Sequence, residues 1–215
     1  MKKVAIILSG CGVYDGAEIH ESVLAMLALA RNGLEYSLFA PDKEQAHVIN
    51  HLTGEVMSET RNVLTEAARI ARGDISALQE LDPEDFDAIL LPGGFGVAKN
   101  LSSFAFDGAD MVVDPQVAAL IKAFADSKKV IGALCIAPTV VAKVLSKVEV
   151  TIGEDETTAS AIEAMGAKHT PADYTEVVMD PEQRVVTGPC YMLDSTISQI
   201  AENTDNVVKA MIELM

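Results

Sequence analysis

Three features of the chain predict an α/β fold, a doubly wound sandwich with a mostly parallel sheet and helices on both faces. Short apolar runs alternate with amphipathic segments from the first residues onward. A glycine-rich loop joins the first run to the first amphipathic segment. Cys135 stands directly between an apolar run and a helical stretch, the position of a strand-to-helix elbow.

Lys3–Leu8 reads as a buried strand, Ser9–Gly16 as the glycine-rich loop and Glu18–Asn32 as a helix closed by Gly33. A second strand, Glu35–Ala40, ends at Pro41-Asp42, and two strands joined across one helix imply parallel pairing. A polar stretch follows, with a hairpin expected around Thr53-Gly54-Glu55 and a short helix over Val63–Arg72. Asp87–Leu91 is the next strand and runs into Pro92-Gly93-Gly94-Phe95-Gly96. Helix Pro115–Ser127, strand Val130–Leu134 and helix Ile136–Leu145 then place Cys135 at their junction. Strand Val148–Ile152, helix Ser160–Met165, strand Arg184–Thr187 and a long helix over Ser195–Leu214 complete the pattern. With no internal repeat, low-complexity tract or linker, residues 1–215 are expected to form one domain.

Composition bounds the function. Of 215 residues, 49% are hydrophobic and 22% charged, an ordinary globular balance, while the formal net charge of −16 disfavours nucleic acid and anionic membrane surfaces as partners. Leu8-Ser9-Gly10-Cys11 behind two lysines imitates a lipid-attachment signal, but the apolar run Val4–Leu8 falls short of the roughly 7–15 residues of an exported leader. No run approaches the ~20 apolar residues of a membrane span. Cys11, Cys135 and Cys190 match neither a closed disulfide framework nor a zinc motif, so reduced thiols and a cytosolic location are expected.

A side chain at the Cys135 elbow projects from the carboxyl edge of the sheet, where open α/β folds bind ligands. A helix opening at Ile136 would supply positive potential and free N–H groups, lowering the thiol pKa and holding an oxyanion. Spacing alone leaves a nucleophile and a buried inert thiol equally open. Gly94 in the second glycine loop offers an amide that would complete an oxyanion hole with that of Ile136, or the loop is simply a tight turn. Glu18 and Glu21 flank His20 in the first helical turn, where a carboxyl group near a thiol would exchange protons with it, unless both only complement the helix dipole. His47 and His51 lack the glutamate of a zincin motif, and no metal site is expected. Ser9-Gly10-Cys11-Gly12-Val13-Tyr14 lacks the third glycine of a dinucleotide fingerprint. Cys11 and Cys190 lie near strand ends, where pocket lining and simple packing are both open.

Long motifs identify a resemblance. Leu8–Gly16, Glu18-Ile19-His20-Glu21, Phe39-Ala40-Pro41-Asp42, Val48-Ile49-Asn50-His51, Thr60-Arg61-Asn62-Val63-Leu64, Pro92–Gly96, Ala98-Lys99-Asn100-Leu101-Ser102, Cys135-Ile136-Ala137-Pro138 and Tyr191-Met192-Leu193 resemble the ElbB-like proteins of the PfpI and class I glutamine-amidotransferase-like superfamily, across nearly the whole chain. The resemblance implies a flavodoxin-like sandwich with Cys135 as the nucleophile. It also implies Glu21, which stands twelve residues before Gly33, as the acid/base partner. Gly94 and Ile136 match the amides of the oxyanion hole. Glu18, Cys11, Asn100 and Cys190 are further candidates for the pocket.

Departures narrow what the resemblance implies. Relatives with protease-like or chaperone-like roles often carry a histidine just after the cysteine or about twenty residues later; here those places hold Ile136 and Gly153-Glu154-Asp155. The late His-x-Glu of glutaminases is absent, the last histidine being His169 before Thr170 and Pro171. The implied activity is a glutathione-independent glyoxalase that needs no cofactor, acts on a small aldehyde, turns glyoxal into glycolate and works as a homodimer. The alternative is a non-catalytic metabolite-binding or thiol redox-sensing protein with a link to isoprenoid metabolism.

Overall fold

Residues of the first strand alternate between two cores, Val4, Ile6 and Leu8 entering one and Ala5 and Ile7 the other, the period of two that a sheet covered on both faces requires. The computed structural model describes residues 1–215. Its elements in chain order are β1 (Lys3–Ile7), α1 (Ile19–Arg31), β2 (Glu35–Ala40), α2 (Val63–Ala71), β3 (Ser76–Ala77), β4 (Ala88–Leu91), α3 (Phe95–Lys99), α4 (Phe104–Asp107), α5 (Pro115–Asp126), β5 (Val130–Leu134), α6 (Pro138–Leu145), β6 (Glu149–Val150), α7 (Glu156–Ala164), β7 (Lys168–His169), β8 (Val178–Asp180), β9 (Val185–Gly188) and α8 (Ile197–Leu214). A one-turn 3-10 helix, Cys190–Met192, follows β9.

Seven strands form the main sheet in the order β3-β2-β1-β4-β5-β9-β8, parallel throughout except for β8 on the edge. This is the flavodoxin-like, doubly wound arrangement expected. Helices α1, α2 and α8 cover one face through Ala25, Leu29, Ala67, Val207 and Met211. On the other face α5, α6 and α7 contribute Val117, Ile121, Phe124, Val140 and Ile162. Because β1, β4, β5 and β9 run the same way, their carboxyl ends share one edge of the sheet. The strand order reverses between β1 and β4, which opens a crevice there.

Most elements lie where apolar periodicity puts them, and the expected hairpin closes with Ile49 bridged to Val56. Three expectations are corrected. Val148–Ile152 shortens to β6, which pairs with β7 in a separate two-stranded sheet. The helix expected from Ser160 begins at Glu156, because Asp155 caps it by accepting from the Thr158 amide at 2.7 Å. Helix α6 opens at Pro138 rather than Ile136. Strands β3, β7 and β8 are two or three residues long, too short to show a period of two. No helix is long and apolar enough to cross a membrane.

Phe124 is the largest fully buried side chain. Phe124→Ala is expected to cost about 3–5 kcal/mol of stability, read as a lower midpoint of urea unfolding with an unchanged slope.

Candidate active site

Strand β5 is buried at every position and delivers Cys135 to the carboxyl edge. There Cys135 turns into the left-handed region with φ 59°, a conformation costing a β-carbon residue on the order of 1–3 kcal/mol. The Cys135 amide donates to the Gly188 carbonyl of β9 at 2.9 Å, and the Ala137 amide donates to the Leu134 carbonyl at 2.9 Å, which holds the bend. The Ile136 carbonyl accepts from the Thr139 amide at 3.1 Å and from its hydroxyl at 2.7 Å, beginning the next helix. The Ile136 N–H, left out of that ladder, and the Gly94 N–H from the loop after β4 both act on the Cys135 sulfur and favour its anion.

Glu21 lies in the first turn of α1 with no exposed surface. Its Oε2 accepts from the Gly93 amide at 2.9 Å and its Oε1 from the Tyr191 amide at 3.2 Å, and its carboxyl group lies beside the Cys135 sulfur against Gly93. Gly93 tolerates no side chain, since a β-carbon there would stand 2.4 Å from Cys135 Cβ, 2.7 Å from Glu21 Oε2 and 2.8 Å from Cys135 Sγ. Gly94 adopts φ 97°, which presents its amide to the sulfur and favours glycine. Burial, reinforced by Glu18, pushes the Glu21 carboxyl from its usual 4.5 up to about 7. Burial and then the Glu21 carboxylate push the Cys135 thiol well above its usual range, against the Gly94 and Ile136 amides. The expected lowering of the thiol pKa is thus corrected: desolvation and an adjacent carboxylate outweigh two amides and a helix that starts later. Two anions are not tolerated side by side in this site, so the pair titrates as a unit that retains a proton at neutral pH.

The remaining candidates take other places. Glu18 caps α1, its Oε2 accepting from the Glu21 amide at 2.7 Å, and its own amide donates to the Gly93 carbonyl at 3.0 Å. Asn100 joins three backbone segments: its Nδ2 donates to the Ser9 and Asp15 carbonyls, each at 2.9 Å, and its Oδ1 accepts from the Ala46 amide at 2.9 Å. Cys11 has Glu66, Arg69, Asp15 and Arg61 as charged neighbours, toward α2, and it lies with Asn100 outside the cavity at Cys135. Cys190 sits fully buried behind the pair, its amide and thiol both donating to Asn203 Oδ1 at 3.2 Å. This clamp sets the 3-10 turn that aims the Tyr191 amide at Glu21. His51 accepts from the Tyr14 amide, whereas His47 packs edge-on against Phe106, so the two imidazoles serve different neighbours.

Cys135 opens into a cavity of about 310 Å³ whose walls include Val13, Phe95, Phe104, Ile136 and Met192, with Asp155 and Thr158 from the start of α7. Sequence reasoning missed Gly93, Tyr191, Asn203 and these apolar walls. Gly93 and Tyr191 stand inside motifs that signalled the resemblance, but their contribution is a backbone amide, which no side-chain pattern reports. His20 shares a 2.8 Å hydrogen bond with the Tyr191 hydroxyl and is exposed. A depression of about 270 Å³ beneath β2 and β3 is lined by no cysteine or histidine.

Residues 2–190 match the model of the DJ-1/PfpI family. The chain is 46% identical to the rat ES1 protein homolog, mitochondrial, covering 99% of this chain and 84% of the relative. It is 46% identical to the human glutamine amidotransferase-like class 1 domain-containing protein 3, mitochondrial, over 99% of this chain and 83% of that protein. Among crystal structures, an isoprenoid biosynthesis protein with amidotransferase-like domain from Ehrlichia chaffeensis superposes with a TM-score of 0.94 at 37% identity, covering 100% of this chain and 99% of the other. The cytosolic expectation is corrected by the two relatives at 46%, both mitochondrial by name. Unpaired thiols signal a reducing environment without distinguishing one reducing compartment from another.

Since the folded pKa of Glu21 lies above its unfolded value, its protonated form contributes stability that is complete below about pH 4.5 and lost as pH rises through about 7. Wild-type stability is therefore expected to fall by roughly 2–3 kcal/mol more than that of Glu21→Gln between about pH 5 and pH 8. Chemical denaturation across that range measures the difference.

Proposed function

The chain belongs to the DJ-1/PfpI family, whose members include glyoxalases and protease-like enzymes, and from that premise we propose that it is a glutathione-independent glyoxalase of the ElbB-like branch, converting glyoxal to glycolate. The observation that carries the reading is the fully buried Glu21 carboxyl, beside the Cys135 sulfur against Gly93 and pushed up to about 7. A carboxyl group poised near neutrality is matched to taking and returning a proton at physiological pH. The kinship with an isoprenoid biosynthesis protein supports the branch, and the cavity at Cys135, which has no histidine in its lining, gives no support to a cysteine-histidine protease or glutaminase.

The Cys135 thiol transfers its proton to Glu21 and its sulfur adds to one aldehyde carbon; the C–S bond forms and the carbonyl electron pair moves to oxygen, where the Gly94 and Ile136 amides receive it. That oxygen takes the proton from Glu21 to give a hemithioacetal. The Glu21 carboxylate then removes the hydrogen on the sulfur-bearing carbon; the C–H pair forms a C=C bond and the neighbouring carbonyl pair moves to its own oxygen, which takes the proton of the first hydroxyl, and Glu21 returns its proton to the neighbouring carbon, leaving a thioester of glycolate. Water attacks the thioester, the C–S bond breaks, and glycolate and the thiol are released. One carbon is oxidised and its neighbour reduced, so the hydrogen count closes within the substrate and one water.

Steady-state glycolate formation from glyoxal, without glutathione or metal, tests the reading. Cys135→Ala is expected to abolish turnover. Glu21→Gln is expected to lower kcat by about 10²–10⁴-fold, the usual weight of a general acid–base, while iodoacetamide still alkylates Cys135. A redox sensor needs no proton shuttle, so a wild-type chain without turnover, or a kinetically silent Glu21→Gln, would overturn the glyoxalase reading.

A further inference from the structure

Glyoxal consists of two carbonyl groups and nothing else, yet the cavity at Cys135 holds about 310 Å³, inside the roughly 300–1,000 Å³ range of sites for much larger ligands. Its lining is apolar over most of its extent, with Phe95 and Phe104 contributing rings and Val13, Ile136 and Met192 aliphatic surface. Small ligands gain affinity in proportion to the atoms they bury, and a two-carbon aldehyde leaves these walls without contact. No lysine or arginine lines the cavity. The nearby Lys99 is engaged elsewhere, its Nζ donating to the Tyr14 carbonyl at 2.9 Å and lying 5.3 Å from the Phe95 ring centroid. Asp155 stands exposed among the lining residues, and the Thr158 hydroxyl and amide hold its carboxyl below the usual range, keeping it ionised. Asp155 in the lining and Glu21, with Glu18 beside it, near the sulfur make the charge around the nucleophile acidic.

We propose that the carbonyl compound taken by this site bears an uncharged apolar arm, aryl or branched alkyl, beside its reactive carbonyl, and that Asp155 turns carboxylate-bearing carbonyl compounds away at the rim. The inference rests on Cys135 as the aldehyde-addressing nucleophile. It names the substrate class of that reaction: 2-oxoaldehydes with the arm against Phe95, Phe104 and Met192.

Alkylation of Cys135 reads the pocket without requiring turnover. Rate constants for the full chain with iodoacetamide, N-benzyl iodoacetamide and iodoacetate are each divided by that for N-acetylcysteine, with Cys135 modification scored by peptide mass spectrometry. N-benzyl iodoacetamide is expected to exceed iodoacetamide at least thirty-fold, the factor that burying about 80–100 Å² of apolar surface supplies. Iodoacetate is expected at least ten-fold below iodoacetamide. Asp155→Asn, which keeps the helix cap, is expected to raise the iodoacetate-to-iodoacetamide ratio several-fold. Equal rates for the benzyl and parent reagents would overturn the apolar-arm proposal, and an unaltered ratio in Asp155→Asn would overturn the role of Asp155. Selective alkylation in a chain that forms no glycolate would overturn the glyoxalase reading and, with it, the 2-oxoaldehyde assignment while keeping the apolar-arm preference of the pocket, and turnover with unselective alkylation would overturn this inference alone.

Discussion

Two acidic groups, the Glu21 carboxyl and the Cys135 thiol, share one buried position, and the cost of ionising both there shapes the structure around them. Each acid raises the proton affinity of the other, and burial raises both. The protein answers with backbone donors: the Gly93 and Tyr191 amides on the carboxyl, the Gly94 and Ile136 amides on the sulfur. Four amides leave room for one negative charge, which rests on Glu21 because the thiol holds its proton more tightly. A pair arranged so can pass its proton to a substrate oxygen or carbon with little reorganisation.

The fold supplies those donors through its topology. Parallel strands β1, β4, β5 and β9 end on one edge, and each contributes a segment: α1 with Glu21, the Gly93-Gly94 turn, the Cys135 elbow and the Cys190–Met192 turn. The crevice where strand order reverses lies between the first two. Strain is stored where segments meet, with Cys135 at φ 59° and Cys190 at φ 44°. The bonds from Cys135 to the Gly188 carbonyl and from Cys190 to Asn203 hold these conformations in place.

Much of this was legible in the residues. Short apolar runs marked β1, β2, β4, β5 and β9, and their parallel order follows from the helices between them. The elbow at Cys135 and the place of Glu21 emerged from the strand-to-helix junction and the resemblance. The thiol's proton affinity was misjudged, because a pKa depends on burial and on which carboxylate lies across the sheet edge, neither of which is a property of local sequence. Cys11 and Asn100 illustrate the same limit: both are pocket candidates by motif, yet one faces α2 and the other, at the end of α3, ties Ser9, Asp15 and Ala46 together. The start of α7 was missed since the Asp155 cap outweighs an apolar period that begins later.

Everything asked of the pair depends on Glu21 taking up and releasing its proton close to neutrality. Infrared difference spectra between the wild-type chain and Glu21→Gln, taken through a pH series, observe that proton directly through the carbonyl stretch of a protonated carboxyl group. The band is expected at about pH 6 and should give way to carboxylate absorption with a midpoint of about 7. A difference spectrum already carrying only carboxylate bands at about pH 6 would mean that Glu21 ionises like an ordinary glutamate, and the shared proton would have to be abandoned.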